Sequence, residues 1–403
     1  MEKSEGVKMA KREIMMFAFI LASLAFVNVG CASAITHTCT VDDDSGADFI
    51  KIQDAISAAS DGDTILVFPG IYSENVVVDK SLTLMGIEHP IVAASENASA
   101  ITLKADKISL LGFNITSGVS NIQGGIMINS SDDCTILYNN ISNFYGGIVG
   151  NTTSNTKIVN NYLSNNEFAI GLFNSGSNYI IGNNAKDNGL WGIGLLDYSN
   201  SNTITGNNIN DNTAGVYLFK YSNSNTITGN NINNNGIWGI WLNDSNSNTI
   251  TGNNINNNLC GVSSENAIDN KIYLNNFRDS FFNVKSDNST DFWYLTEKIT
   301  YTYNGRICSH YLGNYWSDYK GTDADGDGIG DSPYPIDVDN DNYPLMEPFE
   351  NYKIEHPHLA ILASTKASCD QYKTGKNRDA YGYNELLEIQ KIIDKFNKSF
   401  FER

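Results

Sequence analysis

Between residues 120 and 270 this chain has no arginine and no histidine; its five histidines are His37, His89, His310, His356 and His358. The middle of the chain therefore lacks the usual general base and the planar cation used to grip anions. Cysteine is equally scarce. Cys31 sits in a leader-like segment, and Cys39, Cys134, Cys260, Cys308 and Cys369 are scattered, odd in number and without a C-x-x-C pair. That excludes a disulfide framework and a zinc site; Cys134 and Cys260 fall in strand-like positions and read as buried apolar residues. Only 7 prolines and 34 glycines in 403 residues exclude a collagen-like or low-complexity chain. Positive charge is short, with 26 Lys and Arg against 45 Asp and Glu and a net charge of -19. Such a chain repels nucleic acid and anionic polymers unless cations bridge them. Past residue 34 no apolar run is long enough for a membrane span.

What is present is a repeat. The decapeptide Ser-Asn-Thr-Ile-Thr-Gly-Asn-Asn-Ile-Asn starts at Ser201, Ser224 and Ser247 without change. Asn-Asn pairs begin at Asn139, Asn160, Asn183, Asn207, Asn230, Asn253 and Asn275, and a second apolar beat recurs at Ile126, Ile148, Ile170, Ile193, Val216, Ile240 and Val262. Two beats sharing one period of roughly 22–23 residues mean one structural unit per period. The apolar runs of three to five residues are too short for helices, so each unit reads as three short strands. In one unit these are Thr226–Thr228, Asn231–Asn233 and Ile237–Leu242, with Ile227, Ile232, Ile240 and Leu242 inward and Thr226, Thr228 and Trp241 outward. The Asn pairs are expected at tight corners needing left-handed backbone, and identical Asn side chains on stacked coils to form a ladder. The fold class is all-β: a right-handed parallel β-helix of about eight coils, three strands per coil, with a short N-terminal cap helix and a C-terminal helix.

The flanks differ. Residues 1–34 combine basic residues, the apolar run Ile14–Val29 and Ala32-Ser33-Ala34, and read as a signal peptide. Residues 35–75 form an N-terminal cap, with a helix over Ile50–Ala59 and a strand over Thr64–Val67. The β-helix is assigned to 76–285, a C-terminal cap to 286–346, and a polar linker with an amphipathic helix (Tyr383–Phe400) to 347–403. The run GADFIKIQDAISAASDGDTILVFPGIYSENVVVDKSLTLMGI and the later YLGNYWSDYKGTDADGDGIGDSPYPIDVDNDNYPLM resemble the two ends of NosD-type, pectate-lyase-like β-helix surface proteins of archaeal kind. The resemblance implies a helix capping one end of the solenoid and a tail closing the other. It implies no reaction.

Chemistry is expected in few places. Asp323, Asp325, Asp327 and Asp331, with Gly328 between them and the Ile329 carbonyl, match most of a D-x-D-x-D-G calcium loop. Position 12 is Tyr334, so the closing bidentate Glu is missing, and Asp337, Asp339 or Asp341 is expected to complete the shell of a structural Ca²⁺. Copper, despite the family's name, does not suit a chain so poor in clustered Met and His. Tyr217 and Trp241 on adjacent units, with Trp191 and Trp238, read either as strand aromatics that cover their neighbours or turn into the corner of the core, or as outward aromatics able to stack sugar rings. Asp187 and Asp211 lie one coil apart and read as a polar surface position, shared by Asn234 and Asn257, rather than as a cation-binding or acid–base pair, and Asp197, Lys220 and Asp244 as a surface salt-bridge column. The Asn-Thr-Asp, Gly-His-Gly and Arg-Ile-Lys elements of β-helix polygalacturonases are absent. The functional expectation is an exported cell-surface protein, structural or adhesive, binding envelope glycan. The alternative is a polysaccharide-active lyase, hydrolase or epimerase on the same fold.

Overall fold

Successive repeats lie in register, so that like residues meet like. Thr226–Thr228 pairs in parallel with Thr249–Thr251, Asn231–Asn233 with Asn254–Asn256, and Trp238–Asn243 with Cys260–Glu265. Repetition of that rule builds three parallel sheets of twelve, eleven and ten strands. The computed structural model describes residues 36–354, apart from 45, 96–97, 119–122 and 338. The leader-like segment and the amphipathic stretch Tyr383–Phe400 lie outside the described residues. Within them the one α-helix is Ile52–Ala58, and no helix is long and apolar enough to cross a membrane.

The solenoid is longer than the Asn pairs alone suggest. Parallel pairing begins with Thr38–Val41 against Thr64–Val67, well before residue 76. It continues past residue 285 through Thr290–Phe292 and Tyr315–Trp316. The early coils carry Val, Ile and Leu without Asn corners, which hides their period. In the last coil the excursion containing the hairpin Ile299–Tyr303 and Arg306–His310 separates the second and third strands. The core is a stack of aliphatic columns: Ile227, Ile232, Ile240 and Leu242 are wholly buried, as the two-residue strand period requires. Thr228 departs from the expectation. It is buried between Thr205 and Thr251, its register partners on the neighbouring coils.

The corners also correct the expectation. The left-handed residue is not the buried Asn but the one before it: Gly206, Gly229 and Gly252 have φ of 65°, 64° and 67°. Asn207, Asn230 and Asn253 then turn inward and are fully buried. The Asn207 N–H and Nδ2 both donate to Asn230 Oδ1 at 2.9 Å, and Nδ2 also donates to the Ile180 carbonyl at 2.9 Å. The same unit repeats from Asn139 to Asn314. At Asn160-Asn161 it is Asn161 that enters the ladder, while Asn160 takes the left-handed place at φ 51°. Two further ladders run from Asn166 to Asn258 and from Asn178 to Asn270. Each decapeptide thus places a buried Asn at both corners of its strands, and Asn212, Asn235 and Asn258 follow at the third. Burial of so many amides is tolerable because each finds partners along the axis.

Coil length is 22 residues with local additions. The ladder steps are 22 from Asn139 to Asn161 and from Asn161 to Asn183, 24 to Asn207, then 23, 23 and 22 to Asn275. Strand register locates the extra residues. Gly189-Leu190 and Gly236-Ile237 stand where neighbouring coils have the single residues Thr213 and Leu259. Tyr198 and Tyr221 stand between a left-handed residue and a buried Ser, where Asp244-Ser245 has nothing. All four additions flank the ten-stranded sheet.

Both ends are closed by specific contacts. At the N-terminal end Glu74 accepts the free N–H groups of Ile52 and Gln53, and Lys80 Nζ donates to the carbonyls of Ile56, Ser57 and Ala59. A short helix thereby has both ends satisfied. At the other end Phe277, Trp316 and Tyr334 stack at 4.3 Å spacings. Two ladders end on carboxylates: Asn270 donates to Asp291, and the Asn314 N–H to Asp341.

Candidate functional site

The outer face of the ten-stranded sheet gathers the aromatic residues. Trp191 and Tyr217 lie 5.7 Å apart, Tyr217 and Trp241 4.4 Å, and Trp238 and Trp241 4.1 Å. All four expected residues therefore meet in one stack. Phe168 extends it at 5.0 Å from Trp191, and Phe219 lies 5.5 Å from Tyr217. Gly194 makes room beneath Trp191, since a Cβ there would lie 2.5 Å from the indole nitrogen. The expected open ring faces are largely taken up within the stack: Tyr217 is 9% exposed and the three tryptophans are half-buried. Burial, with the nearby carboxylates Glu265, Asp244 and Asp197, pushes the Tyr217 hydroxyl up to about 12, so it stays a neutral donor.

A more exposed pair stands at the sheet's edge. Tyr198 and Tyr221 are 59% and 50% exposed and stack at 5.4 Å. The residue-by-residue pattern did not single them out; their signal is the extra residue in the period. Beside them Lys220 Nζ lies 3.2 Å from Asp197 and over the Phe219 ring. The other carboxylate pair is explained by the backbone. Asp187 and Asp211 occupy left-handed corners at φ 56° and 57°, a position Asn234 and Asn257 share. Lys186 Nζ sits 3.5 and 3.8 Å from the two carboxylates.

In the C-terminal loop the carboxylates of Asp323, Asp325 and Asp327 present oxygens within 4.8 Å of one another. Asp323 accepts the N–H groups of Gly326, Asp327 and Gly328, and Asp327 that of Ile329. The loop is clamped from outside: Arg306 Nη1 donates to the carbonyls of Asp325 and Gly326, Tyr301 to that of Asp327, and Tyr352 to that of Gly328. Burial first, then the Asp325 and Asp323 charges, push the Asp327 carboxyl up, against the Ile329 hydrogen bond. Asp331 does not join the three; one of its oxygens accepts from Thr322 and Ala324 and closes the loop. Asp337, Asp339 and Asp341 do not complete the shell either. Asp337 accepts from Ser286, Asp339 faces Asp291, and Asp341 is buried on the ladder.

A family profile described as "Periplasmic copper-binding protein (NosD)" matches residues 56–236 and 114–321, together well over half of the chain. A cell surface glycoprotein of Methanothermus fervidus is 42% identical over 94 residues, which is 23% of this chain and only 15% of that relative. Among solved structures the chain is similar to pectate lyase Pel9A (15% identity, 64% of this chain, 79% of that chain, TM-score 0.49). It is also similar to the Dettilon tailspike protein (14%, 58% and 57%, 0.44). Copper does not suit this donor set: among the described residues the one cluster of three or more His, Cys, Asp and Glu side chains is Asp323, Asp325 and Asp327, all hard oxygen ligands, whereas copper prefers imidazole and sulfur. The buried thiols of Cys134 and Cys260, pushed up to about 11 and about 12 chiefly by burial, are neutral and inert. By the match over residues 56–321 and the three-sheet parallel solenoid, the chain belongs to the NosD family.

Proposed function

We propose that this is an exported, surface-located β-solenoid with a structural and adhesive role, which holds envelope carbohydrate on the outer face of its ten-stranded sheet. The observation that carries the reading is the aromatic stack of Trp191, Tyr217, Trp241 and Trp238 on that face. Aromatic edges and half-covered faces suit the C–H faces of sugars, and the adjoining Asn243 and Glu265, themselves hydrogen-bonded at 3.1 Å, suit hydroxyls. The similarity to a cell surface glycoprotein supports the location. A Ca²⁺ held by Asp323, Asp325 and Asp327 with the Ile329 carbonyl has a structural part in this reading: it fixes the loop against the closing hairpin.

The test is a glycan-binding screen of the whole protein beside the double variant Tyr217→Ala, Trp241→Ala. Loss of binding at retained fold is expected. Wild-type affinity in the double variant would remove the stack from the binding face.

A further inference from the structure

The four added residues of the array do not fall at random. Gly189-Leu190 and Gly236-Ile237 lie at the corner entering the ten-stranded sheet, and Tyr198 and Tyr221 at the corner leaving it. They occur in the same three coils that carry Trp191, Tyr217, Trp238 and Trp241. A repeat array tolerates added residues where they do not disturb the stacked core, and such additions commonly mark the binding face. The two tyrosines have a further peculiarity. Each follows a residue already left-handed (Asp197 at φ 49°, Lys220 at φ 48°) and is itself at φ 64° or 60°. Left-handed backbone disfavours a bulky side chain, and neighbouring coils pass the same corner without the extra residue. Packing into the core does not account for the pair, since the two residues are 59% and 50% exposed and stack on each other.

We infer that Tyr198 and Tyr221 are the exposed contact residues of a glycan subsite, that the Trp–Tyr stack supports it, and that its ligand is a glycan without acidic groups. This rests on the glycan-binding reading above. The charge class follows from the rim. Asp197, Asp244 and Glu265 border the strip, and Lys220 is engaged by Asp197. No arginine lies between residues 120 and 270, and the chain carries -19. Beside the tyrosines a polyuronate would meet Asp197, Asp244 and Glu265 with Lys220 already paired to Asp197; the next lysine along that column of the sheet, Lys285, stands two strands beyond Trp241 over the Phe282 ring. A neutral sugar presents C–H faces to the rings and hydroxyls to the same carboxylates.

The experiment uses the full chain with three probes: a neutral mannan oligosaccharide, polygalacturonate and a chitosan oligomer. Two variants are compared with wild type. One deletes Tyr198 and Tyr221, restoring the corner of Asp244-Ser245; the other is Tyr198→Asn, Tyr221→Asn, which keeps the residue count in a conformation Asn accepts. The neutral oligosaccharide is expected to bind wild type more tightly than polygalacturonate does, and to bind both variants about tenfold or more weakly than wild type, with melting temperatures at or above wild type. Bound oligosaccharide should also shield the two tyrosines of the unaltered protein from nitration, read by peptide mapping. Equal binding by wild type and variants, or unprotected tyrosines in the complex, overturns the subsite and leaves the glycan-binding reading standing. Preference for polygalacturonate overturns the charge class, and preference for the mannan or the chitosan supports it. Binding of none of the three overturns subsite and glycan reading together.

Discussion

Asn230 and Asn231 are adjacent, carry the same side chain and do opposite things. Asn230 is fully buried and accepts two hydrogen bonds from Asn207, while Asn231 is half-buried on the outer surface. Asn230→Ala orphans the Asn207 N–H and leaves the Asn207 amide only its carbonyl acceptors, and is expected to cost about 1–3 kcal/mol in chemical denaturation. Asn231→Ala should cost less than about 0.5 kcal/mol. Equal costs would mean that the ladder does not hold the coils together. Asp341 is the second telling residue. It accepts from the N–H groups of Asn314 and Tyr343 and from the Trp316 indole, at 2.7, 3.0 and 2.9 Å. Burial nevertheless pushes its carboxyl from 3.8 up to about 7, the hydrogen bonds pulling the other way. A carboxyl raised in the folded state binds its proton more tightly than in the unfolded chain. Its contribution is therefore full below about pH 4 and lost as pH rises through about 7. Asp291, closing another ladder, shifts in the same direction, also by burial. Melting temperature should fall between pH 4 and 7, and Asp341→Asn should flatten most of that slope; an unchanged slope would assign it to other groups.

At the scale of elements, much was legible because the repeat is nearly literal. Thr226–Thr228 and Asn231–Asn233 lie where the alternation of Ile with polar residues puts them. The third strand starts at Trp238 rather than Ile237 because Gly236-Ile237 spreads the corner over an extra residue. Corner conformation was legible only in part. A Gly-Asn pair says that one residue turns left-handed and not that the other goes inside; that choice is made by the partners the buried amide finds on adjacent coils. The aromatic rows were legible by spacing, but their mutual stacking depends on side-chain rotation, which spacing does not encode. The calcium loop shows the same limit: three of its four Asp residues converge, while Asp331 closes the loop on Thr322 and Ala324. Because three clustered carboxylates repel one another without a cation, EDTA should lower the melting temperature and added Ca²⁺ restore it. An unchanged melting temperature would make the loop self-sufficient.

At the scale of the molecule, identity between repeats and specialisation pull apart. The decapeptides are the same because each must supply the same corners and core to its neighbours, so little in them is free to carry chemistry. Between the three decapeptides, variation falls on the ten-stranded sheet and its two corners, where aromatic residues, added residues and charges coincide. On the function proposed above, a surface of that kind holds a polymer intact. The direct test is to incubate the full chain with whichever glycan it binds and to follow the glycan by mass spectrometry. The account predicts a saturable complex with the glycan recovered intact; shortened chains, unsaturated ends or inverted sugars would contradict it.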